Sequence, residues 1–195
     1  MSRKLGERRS TLEAHTYGYA IRAALRRCGV YLKDTGSNRS AAIILPPGAD
    51  FDAYEEALGH VLKEAGMKDR FKVARVVLGK RGDTYSTEAV QEISRWDRVI
   101  VIVESGAAIP RGISVGVDRI VEVGPIRPHH LVAAAKQLWQ ITIEQNDARR
   151  LCSHPPTLLF NALRQGRPIA VSLSKLGNLP VPPRDTWEPT IEMLE

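Results

Sequence analysis

Apolar residues along this chain follow two different rhythms, and the rhythms alternate. Short apolar runs at 41–45 (AAIIL), 71–78 (FKVARVVL), 98–103 (RVIVIV) and 118–123 (DRIVEV) read as strands. The third is nearly all β-branched, as suits a central strand buried on both faces. Between these runs the spacing turns helical. Tyr54, Leu58, Val61, Leu62 and Ala65 form one stripe over 51–65, and 87–96 forms a shorter helix. Strands separated by helices predict an α/β fold, a mostly parallel four-stranded sheet with helices on both sides, over 41–126. The stretch 104–117 is short and irregular.

The flanks have a different character. Ser10-Thr11-Leu12-Glu13 has capping-box spacing and predicts a helix running to about Cys28, stopped at Gly29. Leu12, Tyr19, Ile21, Leu25 and Cys28 give it an apolar side, with Arg22, Arg26 and Arg27 off it. A polar loop at 33–40 completes this basic first segment, 1–40. From Arg127 onward the pattern is helical only. It predicts helices at about 128–146, from Pro155-Pro156 to 163, and at about 169–176, a small lid-like helical part over 127–176. Residues 177–195 hold four prolines and no period, which predicts an extended linker or arm.

Charge sharpens this division. The formal net charge is +6, and the whole excess lies in residues 1–40; the other 155 residues are neutral. An electrostatic partner is therefore expected at the N-terminus, and a broad nucleic-acid groove on the main body is not. Arg8, Arg9, Arg22, Arg26 and Arg27 are the candidate interaction residues. Their expected contact is a protein: a substrate, an adaptor or a neighbouring subunit. The alternative is nucleic acid, with Tyr17 and Tyr19 stacking on bases. Of the 195 residues 43% are hydrophobic and 26% charged, as in a soluble globular protein. The apolar run at 99–103 is too short to span a bilayer, and no h-region follows the basic start. Cys28 and Cys152 lack C-x-x-C spacing. A cytoplasmic, reduced protein with no membrane contact is expected, with a disulfide between the two left open.

Residues 41–58, AAIILPPGADFDAYEEAL, have the layout of a phosphate-binding loop without its chemistry. Such a loop needs G-x-x-x-x-G-K-[ST], in which amides cradle phosphates, Lys neutralises them and a hydroxyl ligates Mg²⁺. Here Gly48 is followed by Ala49, Asp50, Phe51 and Asp52. Two carboxylates repel a triphosphate and serve better as helix-start acids.

Other candidates lie at strand exits, where open α/β sheets bind ligands. Lys80 and Arg81 are a candidate anion or ligand contact, competing with a plain turn at Gly82-Asp83. Glu104 is a candidate base, ligand contact or ion-pair partner. An enzyme site near Lys80, Glu104 and Gly124 is the third functional reading. His129-His130 point about 100° apart on a helix and form no i, i+4 metal pair, so they read as helix-start polar residues. Cys152-x-His154 lacks further ligands. No catalytic, nucleotide-binding or metal residues are assigned.

The stretch RVIVIVESGAAIPRGISVGVDRIVEV (98–123) resembles the part of AAA+ ATPases in which a sensor strand, a loop and an aspartate-containing turn precede the closing strand. Residues 128–176 stand where that family has its helical lid. Pro189 to Glu195, PTIEMLE, is similar to the segment preceding the catalytic module of bacterial FtsH-like, zinc-protease-related members. The resemblance implies a degenerate AAA+-like N-terminal domain that recognises a substrate or adaptor, or assembles an oligomeric ring. ATP and Mg would belong to a module downstream of residue 195, with no cofactor in this segment. The family's catalytic parts are missing: Val76-Val77-Leu78 runs into Gly79-Lys80-Arg81 instead of paired acids, Glu104 and Ser105 follow the sensor strand, and Val115-Gly116-Val117 replaces the expected arginines.

Overall fold

Alternation along each strand builds the two faces of the sheet. In the computed structural model, which describes residues 11–30, 32, 40–78, 84–85, 87–96 and 98–177, β1 (Ala41–Ile44), β2 (Lys72–Leu78), β4 (Val99–Val103) and β5 (Arg119–Glu122) run parallel. A two-residue strand, β3 (Thr84–Tyr85), pairs antiparallel with β2 at one edge, giving the order β3-β2-β4-β1-β5. Ile44 pairs with Val103 on one side and Glu122 on the other, so the exits of β1, β4 and β5 share one edge. At the opposite edge Ser40 and Asp118 lock the β1–β5 register. Asp118 Oδ2 accepts from Ser40 N–H (2.7 Å) and Oγ–H (2.9 Å).

Ala41, Ile43, Leu45, Ile100, Ile102, Val121 and Val123 face α1 (Leu12–Arg27) and α2 (Phe51–Glu64). Ala42, Ala74, Val76, Val99, Val101 and Val103 face α3 (Thr87–Arg95) and α4 (Arg111–Gly116). All five residues of β4 are buried, as expected for a strand covered on both sides. The four-stranded parallel sheet read from the sequence is present. The helix α4 occupies part of the stretch read as irregular. It packs so closely on α3 that a Cβ on Gly116 would lie 2.5 Å from Ile93 Cγ2.

The first helix starts one residue later than expected. Thr11 is the cap, its Oγ1 accepting from Ala14 N–H at 3.1 Å. Gly29 (φ +71°) ends the helix in the left-handed region. The buried side of α1 is broader than the apolar pattern suggested, taking in Ala14, Thr16, Tyr17, Ala20 and Ala24 with Ile21 and Leu25. Small residues and one threonine, whose hydroxyl donates to Leu12 C=O at 2.7 Å, disguised that face. This helix is thus part of the core. It packs on α2 and on α5 (Pro128–Trp139).

The remaining helices are α6 (Gln145–Leu151), α7 (Pro156–Ala162) and α8 (Ile169–Gly177). With α5 they form their own apolar cluster around Leu131, Ile143, Leu151, Leu159 and Leu173. The single long helix expected over 128–146 is broken: Gln140 takes φ +56°, and the chain restarts at Gln145. Phe160 joins this cluster to the sheet side, its ring edge-on to Tyr17 at 5.6 Å. Among the described residues no helix is long and apolar enough to cross a membrane.

Candidate functional site

The turn from β1 into α2 is held by backbone bonds. Leu45 N–H donates to Val103 C=O (3.0 Å) and Ala49 N–H to Pro46 C=O (3.2 Å), while Gly48 takes φ +69°. Asp50 then caps α2, its Oδ1 accepting from Ala53 N–H at 3.1 Å. A phosphate-binding loop would present these first amides to a phosphate; here a carboxylate of the chain itself takes one.

The surroundings strengthen the point. Glu13, from the first turn of α1, joins Asp50, Asp52, Glu55, Glu56 and His60 around an open hollow of about 640 Å³. Burial raises the Glu13 carboxyl above its ordinary range, and the Asp50 and Glu56 charges push the same way against the opposing Tyr17 hydrogen bond. Arg75 of β2 pairs with Glu55 and, at 3.5 Å, with Asp52, its guanidinium lying 5.2 Å from the Phe51 ring centre. Among the described residues no three His, Cys, Asp or Glu side chains are placed to hold a metal ion.

The arginines of the first helix divide between two hollows, Arg22 and Arg26 at one and Arg27 at the other. Arg22 is paired with Glu64 of α2 and lies over the Tyr19 ring at 5.6 Å. Arg26 is exposed and borders a hollow of about 360 Å³ between the ends of α1 and α2, walled by Leu25, Val30 and Val61. Arg27, one position on and so about 100° around the helix, borders a different hollow of about 180 Å³ beside α5. Of the two tyrosines read as possible stacking platforms, Tyr17 is 2% exposed and stacked on Tyr54 at 4.1 Å, closed to any base. Tyr19 is half-buried, its hydroxyl donating to Gln137 at 2.9 Å. Arg8, Arg9, Lys80 and Arg81 lie outside the described residues.

Glu104 is half-buried at the β4 exit, and its N–H donates to Val76 C=O at 2.9 Å. It borders neither the acidic hollow nor the one at Gly124. Cys28 and Cys152 are free thiols in this structure, both partly buried. Burial pushes the Cys152 thiol up to about 11, away from thiolate chemistry.

His130 was legible only as a polar residue at a helix start. Its Nδ1 accepts the N–H of Arg127, the cap of α5, at 3.2 Å, which is the reach-back half of a capping box. The ring is 6% exposed and packs edge-on to His129 at 4.2 Å. The Arg127-Pro128-x-His130 spacing, a cap followed by a ring acceptor at the third helical position, was the signal for it in the sequence. No protein-family model matches this chain, and no curated protein matches it in sequence.

Proposed function

We propose that this chain is a non-catalytic interaction module of an AAA+-type ATPase, acting by protein–protein contact in substrate or adaptor recognition or in ring assembly. ATP hydrolysis then belongs to a downstream module. The observation that carries the reading is Asp50. Its carboxylate caps the helix end that a phosphate would need, within a hollow lined also by Glu13 and Glu56 and by Asp52 and Glu55, which Arg75 pairs. Each carboxylate–phosphate pair at ~4 Å costs about 1–4 kcal/mol at water-like to surface-like dielectric, and several add up. A nucleotide triphosphate is therefore turned away where the fold would otherwise receive it.

Support for a protein partner comes from the apolar side chains left outside. Val115 on α4 is 85% exposed and Trp96, just past α3, is 54% exposed. The nucleic-acid alternative loses ground, because Arg22 is neutralised by Glu64 and Tyr17 is buried. The test is ATP turnover by the chain alone, together with its thermal unfolding with and without Mg-ATP. No turnover is expected, and no stabilisation attributable to the β1–α2 turn. Robust hydrolysis overturns the proposal.

A further inference from the structure

The hollow beside α5 differs from the acidic one in charge. It is bounded by Ala20, Ala23 and Arg27 of α1, by Gly124 and Pro125 leaving β5, and by Arg127, His129 and His130 at the start of α5. It therefore lies at the strand-exit edge of the sheet, where parallel α/β folds place ligands. Its volume, about 180 Å³, accommodates a small anionic group rather than a whole nucleotide.

Three observations converge there. Arg27 and Arg127 have no carboxylate partner among the described residues. The groups acting electrostatically on His130 are the neighbouring His129, the cap residue Arg127 and Arg27 from α1, with no carboxylate among them. His130 also leaves a donor unpaired. Its Nδ1 accepts the Arg127 N–H, so the neutral ring carries its proton on Nε2. That Nε2 is buried and has no hydrogen-bond partner. A buried donor without an acceptor costs about 1–3 kcal/mol, so the position favours anything that supplies an acceptor oxygen. The first turn of α5, a twelve-residue helix, adds its positive dipole end.

We propose that this hollow binds a phosphate group, free or as a small monoester, held by the Arg27 and Arg127 guanidinium groups and the Nε2–H of His130. Planar guanidinium forks match phosphate oxygens in pairs, and a neutral imidazole N–H adds a directed donor. The site is separate from the β1–α2 turn, which remains acidic and closed. No bond is made or broken; the site is for binding.

The test titrates the uniformly ¹⁵N-labelled full chain, at low ionic strength and neutral pH, with inorganic phosphate, methyl phosphate and chloride at matched ionic strength. The imidazole nitrogens of His130 are followed by long-range ¹H–¹⁵N correlation. Saturable movement of the His130 Nε2 resonance is expected with both phosphates and not with chloride. Tighter binding of methyl phosphate identifies an ester as the source of the group; equal or tighter binding of inorganic phosphate identifies the free ion. Arg27→Ala and Arg127→Ala should each weaken binding about tenfold, the loss of one charged hydrogen-bonding partner. Arg27 is exposed, so its variant is expected to keep the wild-type melting temperature. An Nε2 resonance that ignores phosphate, as a buried water on that donor would produce, overturns the proposal. So does affinity unchanged in both arginine variants, or an equal response to chloride. A stabilisation by ATP that inorganic phosphate reproduces and Arg27→Ala abolishes belongs to this hollow, whereas ATP turnover bears on the proposed function alone.

Discussion

The Tyr17 ring of α1 stacks on the Tyr54 ring of α2 with centroids 4.1 Å apart and planes inclined by 23°. Both rings are 2% exposed, and Phe160 of α7 meets Tyr17 edge-on. This cluster joins the first helix, the sheet layer and the helical part. Burial raises both phenols well above their ordinary range, so they stay neutral. Tyr17→Ala should therefore destabilise the chain by about 3–5 kcal/mol. Tyr17→Phe keeps the stack and removes only the hydroxyl that donates to Glu13 Oε1 at 3.2 Å, so about 0.5–1.5 kcal/mol is expected. Urea unfolding of the two variants reads both values. A large loss in Tyr17→Phe, equal to that in Tyr17→Ala, would show that the hydroxyl and not the stack holds the helices together.

Asp50 acts on stability through a single cap bond to Ala53. Asp50→Ala should cost about 1 kcal/mol, whereas Asp50→Asn, which retains an acceptor, should cost much less. The same unfolding measurement checks this, and equal costs for the two would contradict the capping role.

Gly116 and Ile93 bring α4 and α3 together more closely than a Cβ permits. Gly116→Ala should cost about 1–3 kcal/mol through overpacking. In an Ile93→Ala background the cost should fall, because the contacted methyl is gone; a double-mutant cycle reads the coupling. Additive effects would place the clash elsewhere.

His130 gives the fold a sensitivity to acid. Burial, followed by the His129, Arg127 and Arg27 charges, lowers its pKa from 6.5 to about 4. Between those values the unfolded chain binds a proton that the folded chain does not. The contribution is therefore fully present above pH 6.5 and is lost as pH falls toward 4, by at most about 3 kcal/mol. Glu13, shifted the other way, contributes with the opposite sign, so the wild type must be compared with His130→Gln. Unfolding free energies across this pH range should fall less steeply in the variant; identical slopes would contradict the assignment.

What the sequence made legible follows from where periodicity is strong. The β-branched run at 99–103 announced a strand buried on both faces, and β4 is one. Asp50 was readable as a helix-start acid because a cap is a local event, decided within four residues. The buried side of α1 was not readable in full, since Ala14, Thr16, Ala20 and Ala24 carry little apolar signal and gain burial only against α2 and α5. The break at Gln140 was hidden for a similar reason: a non-glycine residue in the left-handed region is set by tertiary packing and has no periodic mark. At the candidate sites, sequence spacing grouped Arg22, Arg26 and Arg27; the fold keeps Arg22, paired with Glu64, and Arg26 on one hollow and turns Arg27 to another. Charge can be counted along a chain, but its neutralisation by Glu64, forty-two residues away, cannot.

The β1–α2 turn is expected to be closed to nucleotide, since Asp50 already takes the Ala53 amide. Backbone amide shifts of residues 48–53 in the ¹⁵N-labelled chain, followed during titration with Mg-ATP, test this. The amide of Ala53, already bonded to Asp50, and its neighbours should not move through millimolar nucleotide. Saturable shifts centred on Gly48, Asp50 and Ala53 would contradict the claim and restore this turn as a phosphate site.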